Sequence, residues 1–352
     1  MPFTPLIGHL ALRARLSEQI HRGTLASSIL FTGPAGIGKQ RLALWLAQHL
    51  LCEEASAPCG ACQHCRYATE GTHPDVVWVF PRPNLKDSDS APEDVAADYA
   101  EAIADRVAAG GVYERPDGSA GIFRYVTRLL VQHASRTPAL GRRKVIVVGE
   151  AERMVPQAAN QEAANAFLKL LEEPLPNTSL LLTSSEPGAL LPTIRSRVIA
   201  MRVRPLPSAE MREFLALPAA APLLKTGSVD ELVALARGAP GALLDAESRA
   251  AAVARAGAIL DAATRSQDRM YRVAYAQGAS GARGGFSDAL DALTELLHAR
   301  SRDAADAGDG SGAAASARAM MLVENAKRDA ERNATPQLVA FRLLTGLAET
   351  LA

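Results

Sequence analysis

Cysteine is scarce and confined: the 352-residue chain has four, Cys52, Cys59, Cys62 and Cys65, all inside one fourteen-residue window. A disulfide framework spread across the fold is thereby excluded. Aromatic residues make up only 5%, so stacked rings cannot dominate the core, and alanine, used heavily beyond Ala216, favours helices packed through small side chains. Net charge is missing too, with 38 Lys and Arg against 38 Asp and Glu. A protein that coats nucleic acid by bulk electrostatics carries a basic excess, so any DNA contact here is local or delegated to partners. No apolar run reaches the roughly 18 to 20 residues that cross a bilayer. Met1 to Gln19 carries scattered charge at Arg13, Arg15 and Glu18 and no unbroken apolar core, so neither secretory leader nor membrane anchor is expected, and a cytoplasmic location is. The length itself is too great for one core and fits two or three domains.

What is present begins with the spacing of those cysteines, C-x6-C-x2-C-x2-C. Thiolates on short loops can converge on one soft metal ion, and four of them close a tetrahedral shell, so the pattern predicts a structural Zn2+ with no position open to substrate. Two disulfides or four idle thiols are the alternatives; disulfides need an oxidising compartment. His64, inside the last spacing, is a possible substitute ligand, and His73 a weaker one.

Along the chain, Leu6, Leu10, Leu12 and Leu16 predict a first helix, and Ser28 to Thr32 a short apolar strand. A glycine loop, Gly33-Pro34-Ala35-Gly36-Ile37-Gly38-Lys39, then leads into a helix carrying Leu42, Leu44, Leu46 and Leu50. After the cysteines, Gly71-Thr72-His73-Pro74-Asp75 turns into a strand at Val76 to Phe80. Val145–Val148, Leu180–Thr183 and Val198–Val203 read as further buried strands. Strands alternating with helices predict an α/β fold with a parallel, doubly wound sheet. Residues 82–121, rich in Asp87, Asp89, Glu93, Asp94, Asp98, Glu101 and Asp105, read as a solvated, loop-rich acidic insertion. Arg142, Arg143 and Lys144 read as a solvated basic turn. Pro205-Leu206-Pro207 closes a first domain at 1–205. Short helices punctuated by Gly227, Gly238, Pro240 and Gly241 suit a small helical domain at 206–246. Longer helices fill 247–352, broken by loops at Gly278 to Gly285 and Asp303 to Gly312, and Thr335-Pro336 caps a last helix with Leu338, Phe341, Leu344 and Leu347 as its packing face.

In a working phosphate loop the backbone N–H groups cradle phosphates, a lysine meets the terminal phosphates, and a following Ser or Thr holds Mg2+. Here Lys39 is followed by Gln40, which has no hydroxyl. The second magnesium contact normally comes from an Asp at the end of a buried strand, and Gly149 stands there, with Glu150 left to polarise a water. Two independent losses on one ion predict poor ATP/Mg2+ turnover, whether Gly33, Gly36, Gly38 and Lys39 still bind nucleotide weakly or form only a tight strand-to-helix turn.

The run from Ala163 to Pro174, including Asn165, Phe167, Leu168, Leu171, Glu172 and Glu173, shares one apolar face and stops at Pro174. Followed by Thr193-Ile194-Arg195-Ser196-Arg197, and taken with the phosphate loop, the cysteines and Gly71 to Asp75, it resembles the signature of bacterial clamp loader subunits of the AAA+ class. The resemblance is strong over about the first 205 residues. It implies an AAA+ domain, a helical lid at 206–246 and an oligomerising helical collar at 247–352. It implies that Arg197 serves as an arginine finger for a neighbour's ATP, with Arg195 a rival and Val198 a departure from the usual cysteine. It places Ala242 where active motors carry a nucleotide-sensing arginine. The implied role is a stationary subunit in DNA replication whose partners are motor and delta subunits, with sliding clamp and primed DNA met through the assembly. An ATP-burning motor subunit is the first rival, and Gln40 and Gly149 speak against it. An autonomous zinc-dependent DNA-binding protein is the second, and Glu53, Glu54 and Glu70 around the cysteines speak against that.

Overall fold

Five short apolar runs become five parallel strands. The computed structural model describes residues 2–85, 91–113, 120–154, 161–225, 227–244, 246–265, 267–277, 283–331 and 335–351. In chain order the elements begin with α1 (Leu10–His21), β1 (Ser28–Thr32), α2 (Lys39–Leu51), α3 (Gln63–Glu70), β2 (Val76–Val79) and β3 (Arg82–Pro83). Next come α4 (Pro92–Ala108), β4 (Ala120–Gly121), α5 (Arg124–Ser135), β5 (Lys144–Val148), α6 (Gln161–Glu172), β6 (Thr178–Ser184), α7 (Pro192–Arg195) and β7 (Ile199–Arg202). The chain continues through α8 (Ser208–Leu215), α9 (Val229–Ala236), a 3-10 turn at Pro240–Leu243, α10 (Ala246–Arg265), α11 (Gln267–Ala276), α12 (Arg283–Asp306), α13 (Gly310–Glu331) and α14 (Pro336–Leu351).

The large sheet runs β2-β5-β6-β1-β7, all parallel, while β3 and β4 form a separate antiparallel pair. Its central strands are apolar without alternation because helices cover both faces: every residue of β5 and β6 is buried. β7 departs from the expected buried strand. It is an edge, with Ile199, Ala200 and Arg202 exposed and Met201 alone turned inward.

The acidic segment is the main correction. Glu93 and Asp94 lie in the first turn of α4, after Pro92, where the helix dipole favours them. Val95, Tyr99, Ala102 and Arg106 recur on one face and are buried against the sheet. Charge density on the outer face had hidden a helical period on the inner one; Asp87 and Asp89 lie outside the described residues. Arg106 rests on Phe80, 3.2 Å from the ring centroid, and on Tyr113, and Arg82 pairs with Asp98 at 2.7 Å.

α1 starts at Leu10, after Leu6, and buries only Leu16. Lys144 belongs to no solvated turn: it is 2% exposed and its ammonium donates to the carbonyls of His133, Ala134 and Arg136, closing the C-terminal end of α5. The break at Asp303 to Gly312 is a tight turn between α12 and α13, in which the Asp309 carboxylate accepts from Ser311 Oγ at 2.7 Å and Gly312 N at 2.9 Å. Of the other expected break, residues 278–282 lie outside the described residues, and α12 already runs through Gly284 and Gly285.

The described residues pack as two compact units, one through Leu244 and one from Ala246 onward. The first holds the sheet core and a second apolar cluster of Leu206, Met211, Leu215, Ala220, Leu223, Leu232, Ala236 and Leu243. The second is all helical. There α14 opens at Pro336 but packs through Val339, Ala340, Leu343, Leu344 and Leu347, leaving the expected Leu338 at 69% exposure.

Candidate functional site

β1 delivers the chain into the glycine loop, and α2 leaves it with Gly38 as a left-handed N-cap. A side chain at Gly33 would stand 2.4 Å from Val203 O, so only glycine fits between loop and neighbouring strand. Lys39, 6% exposed, turns its ammonium back on the loop: Nζ donates to Gly33 O at 2.8 Å, to Pro34 O at 2.6 Å and to Ser185 Oγ at 2.9 Å. The carbonyls of the cradle thus hold the charge that a working loop presents to phosphate.

Gln40 lies against Gly149. A Cβ added at 149 would be 2.5 Å from Gln40 Cδ, and Trp78 Nε1 donates to Gln40 Oε1 at 3.0 Å. Gln40 and Gly149, expected from the sequence to be two independent departures, therefore form one packing unit. Glu150 takes a left-handed conformation at φ 50, its N–H donating to Thr183 Oγ1 at 3.0 Å and its carboxylate facing Arg153 at 3.5 Å.

Two residues without a sequence signal complete this region. Glu152 Oε1 accepts from Ser185 N at 2.8 Å, joining the serine that Lys39 contacts. His9 Nε2 donates to Ile37 O at 3.0 Å, and burial pulls its pKa below the usual value. Above the loop, Gly241 N donates to Gly36 O at 2.9 Å, and a Cβ at 241 would stand 2.7 Å from Gly36 Cα. Ala242 follows directly, so its backbone touches the loop where the resemblance looks for an arginine.

The four cysteine sulfurs lie within 4.8 Å of one another. Cys59 to Cys65 and Cys52 to Cys62 are each 3.9 Å apart, close to the edge of about 3.8 Å that a tetrahedron with 2.3 Å metal–sulfur bonds requires. Both separations are about twice the ~2.05 Å of a disulfide, so the cluster fits a metal ion. Backbone N–H groups of Cys59, Cys62 and Cys65 point at Cys52, Cys59 and Cys62 sulfurs respectively. The Cys59 thiol is pulled down to about 7 by the N–H groups of Cys62 and Ala61, whereas burial pushes Cys65 up.

His64 is not in the cluster; it shares a 3.0 Å hydrogen bond with His73, which burial holds down to about 4. His73 Nδ1 accepts from Asp75 N at 3.1 Å. The Asp75 carboxylate in turn accepts from the backbone N–H groups of Ala139, Leu140 at 2.8 Å and Gly141 at 2.6 Å. Burial pushes this carboxyl up, but the three donors win and hold it below its ordinary value. The motif from Gly71 to Asp75 thus ties the cysteine segment to the loop before β5.

Arg195 and Arg197, at and just beyond the end of the short α7, meet different surroundings. Arg195 is exposed, while Arg197 Nε donates to Glu172 Oε1 at 2.7 Å and Nη1 to Thr193 O at 2.8 Å. The fold brings Arg197 to the end of α6, at the opposite end of the parallel strands from the glycine loop.

A family model described as DNA polymerase III, delta subunit, matches residues 8–207. The chain belongs to that family. The matched stretch of this DNA polymerase III family member contains the glycine loop, all four cysteines and Arg197. The chain is 36% identical over 222 residues to DNA polymerase III subunit delta' of Pseudomonas aeruginosa, covering 62% of this chain and 55% of that protein. It is 30% identical over 192 residues to subunit delta' of Bacillus subtilis, covering 54% and 46%. It is 32% identical over 216 residues to subunit gamma/tau of Mycobacterium tuberculosis, covering 61% and 30%. The chain spans about half the length of the two delta' relatives, which set it among the DNA polymerase III subunits.

Proposed function

We propose that this chain is a clamp loader subunit of DNA polymerase III that turns over no ATP efficiently itself and completes a neighbouring subunit's ATP site through Arg197. The observation that carries the reading is Lys39 bonded to the carbonyls of Gly33 and Pro34 beside a Gln40 packed on Gly149. A magnesium ion there has neither the hydroxyl nor the carboxylate it would need, and the lysine is already satisfied. Arg197, by contrast, sits on a partly open edge. A planar, permanently charged fork suits the charge spreading over a transferring phosphoryl group, and fingers of this kind supply about 10^3 to 10^5 in rate.

In this reading the four-cysteine cluster holds a structural Zn2+ through Cys52, Cys59, Cys62 and Cys65, which pins the segment between α2 and α3 and does no chemistry. The apolar cluster around Met211 acts as a lid, the helical second unit as a collar that oligomerises with motor and delta subunits, and the assembly places a sliding clamp on primed DNA. The kinship with gamma/tau supports partners of the same complex.

The test is DNA- and clamp-stimulated ATP turnover of the reconstituted complex with wild type, Arg197→Ala and Lys39→Ala in this chain. Arg197→Ala is expected to lower turnover and Lys39→Ala to leave it near wild type. Damage from Lys39→Ala would mean that the chain burns its own ATP, against the reading.

A further inference from the structure

Arg197 is the residue by which the proposed function reaches another subunit, yet within this chain its guanidinium is engaged. Nε and Nη2 both pair with Glu172, and Nη1 donates to Thr193 O at 2.8 Å and Ser196 Oγ at 3.1 Å. Four of its five N–H groups therefore end on acceptors of this chain. Glu172 is the last residue of α6, where the helix dipole disfavours a carboxylate, so helix stability does not call for an acid there. The ion pair does. Its side chains are 28% and 46% exposed, and the exposed apolar residues Leu175, Leu191 and Ile199 stand close to it in the chain.

We infer that Glu172 is a latch on Arg197: a positioning residue that holds the guanidinium on its own subunit until a more highly charged phosphate displaces the carboxylate. The inference rests on the trans role of Arg197 proposed above. Nε and Nη2 converge on the single oxygen Oε1 of Glu172, and a phosphate oxygen can take the same two N–H groups, so engagement is an exchange of one anion for another. A half-exposed pair is weak enough to be displaced, and its strength lowers the fraction of arginine free to reach out by a factor of up to about 5.

The experiment is ATP turnover of the reconstituted complex with wild type, Glu172→Gln, Glu172→Asp, Arg197→Ala and the Glu172→Gln/Arg197→Ala double variant, with and without DNA and clamp. Glu172→Gln keeps an acceptor but removes the charge. It is expected to raise DNA-independent turnover or lower the KM for ATP about two- to fivefold, with the stimulated kcat little changed. Glu172→Asp should restore the restraint, and Glu172→Gln should do nothing once Arg197 is gone, which separates a latch from a merely structural role. If Arg197→Ala impairs the complex while Glu172→Gln is neutral or inhibitory, the latch is overturned and the trans arginine stands. If Arg197→Ala has no effect, both fall.

Discussion

A methyl carbon on residue 149 would stand 2.5 Å from Cδ of Gln40, so Gln40 and Gly149 share one volume at the end of β5. The glutamine is held there by Trp78 Nε1. A side chain cannot be added at residue 149 without moving the amide of Gln40.

Coupling between them is measurable. Gly149→Ala is expected to cost about 0.5 to 1.5 kcal/mol, because the amide end of Gln40 must swing away and give up its hydrogen bond from Trp78, and Gln40→Ala to remove most of that cost. Urea unfolding of both single variants and the double variant gives the coupling energy, and strictly additive effects would refute the shared volume.

The cysteine cluster should act locally. If the cluster holds a metal ion, chelator treatment, like Cys62→Ser, is expected to abolish hydrogen-exchange protection across residues 52–75 and leave the amides of β1, β5 and β6 protected. Loss of protection throughout the sheet would show that the cluster supports the whole fold.

Asp75 gives a pH signature. Its carboxylate is held below the ordinary value by three backbone donors, so its stabilisation is full above the unfolded pKa and is lost as pH falls through the folded one. Asp75→Asn should cost about 1 to 3 kcal/mol near neutrality, and the gap to wild type should close in acid. A gap that stays constant down to about pH 2 would contradict the assignment.

Lys144 is a buried cation whose ammonium donates to three carbonyls at the end of α5. Lys144→Met keeps the apolar stem and strands the carbonyl groups at the end of α5, at an expected cost of about 2 kcal/mol or more. Thermal unfolding of the variant checks this; an unchanged Tm would mean that water satisfies them.

Much of the fold was legible because strands and cysteines carry local signals. All five sheet strands sit on the apolar runs that predicted them, and the cysteine spacing foretold a cluster with room for a metal ion. Where local signals conflicted, reading failed. The acids of α4 concealed the period of Val95, Tyr99 and Ala102, and on the last helix Leu338 is exposed although Leu344 and Leu347 of the same expected face are buried and Phe341 packs against the core. Lys144 looked solvated because its charge is local, whereas the carbonyls that bury it belong to a helix earlier in the chain.

By itself the sequence determined the five strands of the large sheet, the convergence of four cysteines and the lack of a hydroxyl at Gln40 and of a carboxylate at Gly149, since each depends on residue type and spacing along a short stretch. Tertiary structure alone decided that Gln40 fills the space over Gly149, that Lys39 reaches Ser185, and that Arg197 is held by Glu172. These are contacts between residues far apart in the chain, and hydrogen-bond partners at such range are chosen by how the elements pack, which no local pattern encodes.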